Sequence, residues 1–433
     1  MDVLVRRAAG AVARSALSIL GGAYGRRVVV VAGPGNNGWD GRVAADILAR
    51  RGVRTVVFDA AEVPPVLPGA DLVVDAAFGT GFRGEYRFPR TDSPVLAVDI
   101  PSGVCGMTGE AAGQPVEAMV TVTFAALKPG LLLADGPSTS GAVHLADIGL
   151  DVSSASMHLV TDVDLLEWVP RRPSAAHKWQ RAVWLVAGSP DMQGAAALAA
   201  AAAMRGGAGY LRLSSTGVEH PGAPVEAVLH PLPTHGWATS VLDGADRFAC
   251  VAVGPGLGRN DGVVQEIRRL LESLERPLVL DGDALWAVAQ MGDEADALLR
   301  RRGGATVLTP HDGEHETLVG ARPGPDRVAA ARSLAARTGA TILLKGSTTV
   351  VSDPDGEVLF VRSGDQRLAT AGTGDVLTGL VAAHLAAGTP PGKAAASAAH
   401  LHGLAARLGP ELGLVASDLV ELVPRAWESI TNA

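Results

Sequence analysis

The sequence predicts an α/β protein of two domains, each built on a parallel sheet. Three observations carry that reading. The chain has 433 residues, more than one ordinary core accommodates. Short β-branched runs recur along it, and most end in Gly, Asp or Ser, as parallel strands do where a strand-to-helix turn begins. Aromatic residues make up only 4% while glycines number 53, which suits many tight turns of that kind.

Composition narrows the function. Apolar residues reach 47% and charged residues 19%, enough to fill cores and too apolar for disorder. A formal charge of −8 argues against nucleic acid or an anionic membrane as partner. An anionic ligand would then be held by local amides and helix N-termini. Cys105 and Cys250 form no C-x-x-C pair, which fits a reducing, cytoplasmic setting. Met1 to Gly25 mixes arginines with alanines and lacks the apolar core of a signal peptide. The alanine-rich run Gly194 to Leu211 is interrupted by Arg205, so it reads as a buried helix of a soluble protein, not a membrane span.

In chain order, the first strong element is "RVVVVA" (27–32), a strand buried on both faces. It leads into "GPGNNGWDG", where Gly33, Gly35 and Gly38 match the G-x-G-x-x-G dinucleotide fingerprint. A helix with an apolar stripe (Val43, Ile47, Leu48) follows. The next strand, Thr55 to Phe58, ends on Asp59, near where the fingerprint places a ribose-binding acid. A Rossmann-like domain is expected, and a nicotinamide-dependent dehydrogenase is one reading of it. Against that reading, Asn36, Asn37 and Asp40 fill the loop with side-chain oxygens, and Pro34 removes an amide donor. Such groups suit a hard cation or ribose hydroxyls better than a packed pyrophosphate. Nothing beyond the fingerprint supplies a hydride-transfer site. Further strands in "DLVVDAAFGTG", "SPVLAVDIPSG" and "AMVTVTFAA" bring Asp75, Asp99 and Ser102 to the same C-terminal sheet edge, where parallel sheets bind ligands. N-caps and turn formers explain any one of these residues, but explain the set less well.

After "ADIGLDV" the rhythm loosens, and "VPRRPSAAHKWQR" is rich in proline and arginine. Residues 156–172 are therefore expected to link a first domain (1–155) to a second (173–433). Strands return in "AVWLVAG", "FACVAVGPGLG", "PLVLDGDAL", "ATVLTPHDGE" and "TILLKGSTTVVSD", with no sequence repeat between the halves. Near the end, "LATAGTGDVLTG" sets a small-residue turn before Asp375 and a helix carrying Val376, Leu377, Leu380 and Val381. Amides at such a helix start, with the helix dipole, stabilise phosphate oxygens. A carboxylate there can accept a hydroxyl proton during phosphoryl transfer. An N-cap aspartate is equally compatible with these residue types alone. The company shifts the balance: His311 in "TPHDGE", and Lys345 with two threonines in "LLKGSTTVV". No Walker A pattern is present. His400 and His402 lie two apart on a predicted helix and face different directions. His220, His230 and His235 lack a partnering acid pattern, so no histidine metal site is expected.

These second-domain motifs resemble the ribokinase-like superfamily, whose G-x-G-D turn forms an anion hole with its Asp as base. Within it, their order across residues 175–410 resembles the ADP/ATP-dependent NAD(P)H-hydrate dehydratases. The resemblance implies a repair reaction on NADHX and NADPHX, the forms hydrated at the nicotinamide ring. ADP or ATP, with magnesium, phosphorylates the ring hydroxyl, and loss of phosphate, a far better leaving group than hydroxide, restores the double bond. It implies Asp375 as base, and Gly372, Thr373 and Gly374 around the phosphoryl group. Lys345, Gly346, Ser347, Thr348 and Thr349 would contact ADP, while Ala195, Gly258 and His311 would line the hydrate pocket. His177 and Lys178 match the family's opening, and Trp179 stands where the family has a small residue.

The first domain, through "GPGNNGWDG", "VDAAFGTGFRG", "AVDIPSG" and "ALKPGLLLADGPSTSGAVHLADIGL", resembles the NAD(P)H-hydrate epimerase domain. That domain interconverts the R and S hydrates, of which the dehydratase accepts only S. The resemblance implies Asp99 as acid/base. It places Asn36, Asn37, Gly38, Trp39 and Asp40, with Gly79, Thr80, Gly81, Phe82, Arg83, Gly84 and Glu85, around the substrate. It implies potassium on Asn37, Asp75 and Ser102, and a homo-oligomer. Two departures stand out. Trp39 replaces the second glycine of the family's loop, so a positive φ there would be strained. The chain also enters late at "MDVLVRRAAG" relative to the family's leading helix, so that segment is missing or the start is misassigned. Lys128 in "KPG" reads as a solvated or snorkelling lysine. The rival reading is a ribokinase-like kinase for a small alcohol, with a non-catalytic nucleotide-binding first domain. Such a kinase would release a stable phosphorylated product.

Overall fold

A computed structural model describes residues 3–218 and 222–431. The chain divides into two compact units, Met1–Ala155 and Ser156–Ala433.

The first unit contains β1 (Arg27–Ala32), β2 (Arg54–Asp59), β3 (Leu72–Ala76), β4 (Tyr86–Arg87), β5 (Val95–Val98), β6 (Gly113–Gln114), β7 (Val120–Phe124) and β8 (Ala142–Ala146). Six of them form one sheet in the order β2-β1-β3-β5-β7-β8, and β4 pairs with β6 separately. Every pairing in the six-stranded sheet is parallel. Successive side chains of a strand point to opposite faces. Val28 and Val30 accordingly join Leu72, Val74 and Leu96 under the helices Val3–Leu20 and Asn36–Arg50. Val29, Val31 and Val73 face the other way, onto Leu67 and Phe88. A Rossmann-like sheet thus carries helices on one face and mainly irregular segments, where the expected third layer would be, on the other. The N-terminal segment forms the helix Val3–Leu20, because Ala9, Val12 and Ala16 give it an apolar stripe that packs into that core.

The second unit contains β9 (Met157–Leu159), β10 (Ala182–Val186), β11 (Tyr210–Ser214), β12 (Val228–Leu229), β13 (Cys250–Val253), β14 (Leu278–Leu280), β15 (Thr306–Leu308), β16 (Thr341–Leu344), β17 (Thr349–Ser352) and β18 (Val358–Val361). They form one sheet ordered β12-β11-β10-β13-β14-β15-β16-β17-β18-β9. The strands from β12 to β16 run parallel, and β17 reverses against both neighbours. Strand β9 and the helix Asp162–Trp168 occupy most of the expected 156–172 linker. β9 pairs with β18, and Thr161 caps the helix in a box with Asp164. The irregular connection narrows to residues 169–177.

The alanine-rich helix is Gln193–Arg205, and it packs closely on Thr373–Ala386. A Cβ at Gly379 would overlap the Ala199 carbonyl, so small residues set the approach of these two helices. No described helix is long and apolar enough to cross a membrane.

Candidate active sites

In the first unit the polar residues gather past the C-terminal ends of β1, β3 and β5. Asn36, Asn37, Gly38, Trp39 and Asp40 do not form an open loop. They are the first turn and a half of the helix Asn36–Arg50, entered through extended Gly35. The only non-glycine residues with positive φ among those described are Asp99, Ala125 and Ala134. Trp39 is therefore unstrained, and its side chain lies on the exposed face of the helix. The glycines act by packing: a Cβ at Gly38 would overlap the Gly33 carbonyl, and one at Gly33 would overlap that of Ala77.

Asp75, at the end of β3, is wholly buried. Its Oδ1 accepts from Ser102 Oγ at 2.6 Å and its Oδ2 from the Ser102 amide at 2.8 Å. Burial pushes its carboxyl up to about 6, against the pull of the hydrogen bonds from Ser102 and Ala77. Asn37 Nδ2 and Asp40 Oδ1 are buried without a hydrogen-bond partner. Burial, aided by the charge of Asp99, pushes Asp40 up to about 7. Asp99 sits at the end of β5 with φ 69°, backbone that a residue with a Cβ adopts only where its surroundings impose it. Its Oδ2 accepts from the Thr80 amide at 3.4 Å. A Cβ at Gly79 would stand 3.2 Å from that oxygen and 3.4 Å from Asn37 Cγ, so Gly79 separates the two. The Gly79–Glu85 loop is stitched by rings: Phe78 lies 4.5 Å from Phe82 and 4.9 Å from Tyr86 between centroids. Lys128, expected in solvent, instead places Nζ 2.5 Å from Asp99 Oδ1.

The donor set at Asn37, Asp75 and Ser102 is oxygen-rich and includes a buried carboxylate with no basic partner. The Asn37 amide nitrogen has no partner, and turning the amide by 180° would present its oxygen there instead. These residues fit a large, hard monovalent cation.

In the second unit the predicted residues again follow the C-terminal ends of parallel strands. Asp281, after β14, is buried; it places Oδ1 2.8 Å from Lys345 Nζ and Oδ2 2.5 Å from Thr378 Oγ1. Burial opposes its ionisation, but the Lys345 charge and the bonds from Lys345, Thr378 and Thr309 outweigh that and hold its carboxyl below the ordinary range. Thr378 lies one turn beyond Asp375 on the helix Thr373–Ala386, so Asp281 pins this helix to the sheet. Gly372 caps that helix with φ 90°, left-handed backbone that favours glycine. Asp375 stands in its first turn. Burial pushes its carboxyl up to about 6, reinforced by Asp281, Asp283 and Glu314 and opposed by Lys345. The Thr373 hydroxyl and amide both donate back to the Thr370 carbonyl, and the hydroxyl also to that of Leu368, which fixes the turn against the segment before it.

Lys345 points inward. Besides Asp281 it has Glu314 Oε2 at 3.8 Å, and Gly374 leaves space beside its ammonium. Gly346 and Ser347 are exposed, Thr348 is buried, and Thr349 begins β17. His311 caps the helix Asp312–Val319, its Nδ1 accepting from the amides of Gly313 and Glu314. That fixes the protonated nitrogen as Nε2 in the neutral ring. The Gly258 amide donates to Asp283 at 2.8 Å, and Ala195 lies beside Gly256 of the same loop. His177, Lys178 and Trp179 lie before β10, at the opposite sheet edge, where Trp179 stacks on Tyr210 at 4.1 Å. The departure at Trp179 therefore leaves the ligand edge untouched.

His400 and His402 are buried in the second unit's core. His400 pairs with Asp162 at 2.8 Å, and burial pushes His402 down to about 4. His220 lies outside the described residues. No cluster of three or more His, Cys, Asp or Glu suited to a metal occurs among the described residues.

A family profile described as NAD(P)H-hydrate dehydratase matches residues 183–424, and one described as YjeF-related protein N-terminus matches residues 1–68 and 58–130. The bifunctional NAD(P)H-hydrate repair enzyme of Salinibacter ruber is 37% identical over 475 residues, covering 92% of this chain and 86% of that protein. The chain belongs to the bifunctional NAD(P)H-hydrate repair enzymes. An ADP/ATP-dependent NAD(P)H-hydrate dehydratase from Bacillus subtilis, co-crystallised with ATP/Mg2+, is 30% identical with a TM-score of 0.55, covering 63% of this chain and 98% of that one. A ribokinase-like superfamily protein from Enterococcus faecalis is 22% identical with a TM-score of 0.55, a likeness of fold alone. The small-alcohol kinase and the dehydrogenase give way to the repair-enzyme reading. Asp281, Glu314 and Thr378 escaped sequence reasoning, although Asp281 lies in "LDGDAL" and Glu314 in "TPHDGE". Lys128 was visible only as part of "KPG".

Proposed function

We propose that the second unit dehydrates the S hydrates of NADH and NADPH at the expense of ADP or ATP, and that the first unit supplies S from R by epimerisation. The observation that carries this reading is Asp375, a half-shielded carboxylate one residue beyond the Gly372–Gly374 turn at a helix N-terminus. Its pKa near 6 leaves it ionised at neutral pH and basic enough to take a proton. Asp375 would accept the proton of the ring hydroxyl as that oxygen takes the phosphoryl group. The Gly372–Gly374 turn and the helix dipole would stabilise the charge on the group in transit. Phosphate then departs with the bonding electrons as the ring loses a proton, and the double bond returns. Lys345, Gly346, Ser347, Thr348 and Thr349 would line the nucleotide, with the Lys345 charge beside the turn. Ala195, Gly258 and His311 would border the hydrate. Magnesium would arrive on the nucleotide's phosphates, as it commonly does.

In the first unit, inversion at the hydroxyl-bearing carbon needs a proton delivered as the hydroxyl leaves and recovered as water adds to the other face. Asp99 would carry that proton. Asn37, Asp75 and Ser102 would hold potassium, whose charge neutralises Asp75 and orients the substrate side of the loop. The aromatic wall of Phe78, Phe82 and Tyr86 would hold the 79–85 segment against the ligand.

Product analysis tests the dehydratase. With S-NADHX and ATP-magnesium, NADH and free phosphate should appear in equal amounts, and Asp375→Asn should slow both by about 10²–10⁴-fold. Accumulation of a stable phosphorylated product would return the small-alcohol kinase.

A further inference from the structure

Strands β5 and β7 are neighbours, and each ends in left-handed backbone on a residue with a side chain: Asp99 at φ 69° and Ala125 at φ 63°. Backbone of this kind persists only where its surroundings over-determine it. Backbone hydrogen bonds hold both corners, from Asp99 to Val122 and from Ala125 to Ala146, and Lys128 reaches them as well. Its Nζ lies 2.5 Å from Asp99 Oδ1, and it donates to Thr123 Oγ1 at 2.8 Å and to the Phe124 carbonyl at 3.0 Å. The Phe124 carbonyl immediately precedes Ala125, so one ammonium ties both corners together. An ammonium has three protons, and here each has a protein acceptor. Lys128 therefore keeps no donor for a ligand. At 19% side-chain exposure it is not a snorkelling lysine either.

The two oxygens of Asp99 differ as a result. Oδ1 receives Lys128 and also the Thr123 hydroxyl at 3.3 Å. The Thr123 oxygen accepts from Lys128, so its proton is free to point at Asp99, and the three groups close a triangle. Oδ2 has only the long bond from the Thr80 amide, 3.4 Å, and faces Gly79 with Asn37 beyond it. Resting on the reading of Asp99 as the epimerase acid/base, we propose that Lys128 is a positioning residue. It immobilises Oδ1 and leaves Oδ2, on the side shared with Thr80 and Asn37, as the oxygen that exchanges the proton.

The test compares Lys128→Met, Lys128→Arg, Thr123→Val and Asp99→Asn in the full chain, measuring R-to-S conversion and, in the same preparations, dehydration of S-NADHX. Misplacing a reacting group by about 1 Å costs on the order of 10²-fold. Lys128→Met should lower the epimerase kcat by about that factor with KM within about threefold of wild type, and leave dehydration unchanged. Lys128→Arg should recover most of the loss. Thr123→Val removes one strut without a charge, and should cost kcat about 3- to 10-fold at constant KM; this variant decides the matter should Lys128→Met fail to fold its unit. A Lys128→Met kcat within threefold of wild type, beside an inactive Asp99→Asn, would overturn the proposal. So would a rise in KM at unchanged kcat, which would make Lys128 a substrate-binding group. An active Asp99→Asn would instead remove the acid/base reading, and this inference with it.

Discussion

Asp375 shows how one carboxylate acquires a working pKa. Its neighbours contribute opposing effects: burial and the charges of Asp281, Asp283 and Glu314 raise it, while Lys345 restrains it. The result, about 6, predicts the pH dependence. A base must be ionised to act, so dehydratase kcat/KM should be level above neutrality and fall about tenfold per pH unit below about 6. A profile flat from acid to neutral pH would exclude Asp375 as the base. The aspartate itself was legible in the sequence through the company of the other motifs, since the turn alone fits an N-cap aspartate equally well. Its regulators were not. Asp281 and Glu314 reach it from other strand ends, and no local spacing reports a contact between distant segments. Lys128 was misread for a related reason: an isolated lysine defaults to solvent, and only the fold shows its acceptors. At Trp39 strain was conditional on a positive φ, and the helix that has already begun there needs none.

Among the elements, the helix Asn36–Arg50 explains why the glycines of a dinucleotide fingerprint appear here. Gly33, Gly38 and Gly41 let the helix lie against the ends of β1 and β3, and a Cβ at Gly41 would overlap the Ala76 methyl. Close strand-to-helix packing of this kind is one use of the fingerprint's glycines. The pattern therefore reported packing faithfully. Gly38→Ala would drive a methyl into the Gly33 carbonyl. It should destabilise the first unit by about 1–3 kcal/mol and abolish epimerisation, while dehydration in the same chain persists. Equal loss of both activities would contradict this localisation. The strand β9 was not foreseen, since three residues are too few to show a period of two, and the proline- and arginine-rich stretch beside it dominated the reading.

At the scale of the whole molecule, the account assigns two successive reactions to two units of one chain. Each unit has its own core, its own largely parallel sheet and its own carboxylate at the C-terminal edge. The two-unit α/β plan was legible from length and strand rhythm, because buried parallel strands leave unmistakable apolar runs. The order of reactions was legible only through the motifs' family resemblance. The most direct measurement is recovery of NADH absorbance from a mixed R/S NADHX sample with ATP and magnesium, with and without potassium. The account predicts complete, rapid recovery with potassium, and without it rapid recovery of the S portion alone, R following at its spontaneous rate. Failure of the S portion to recover with either ADP or ATP would contradict it.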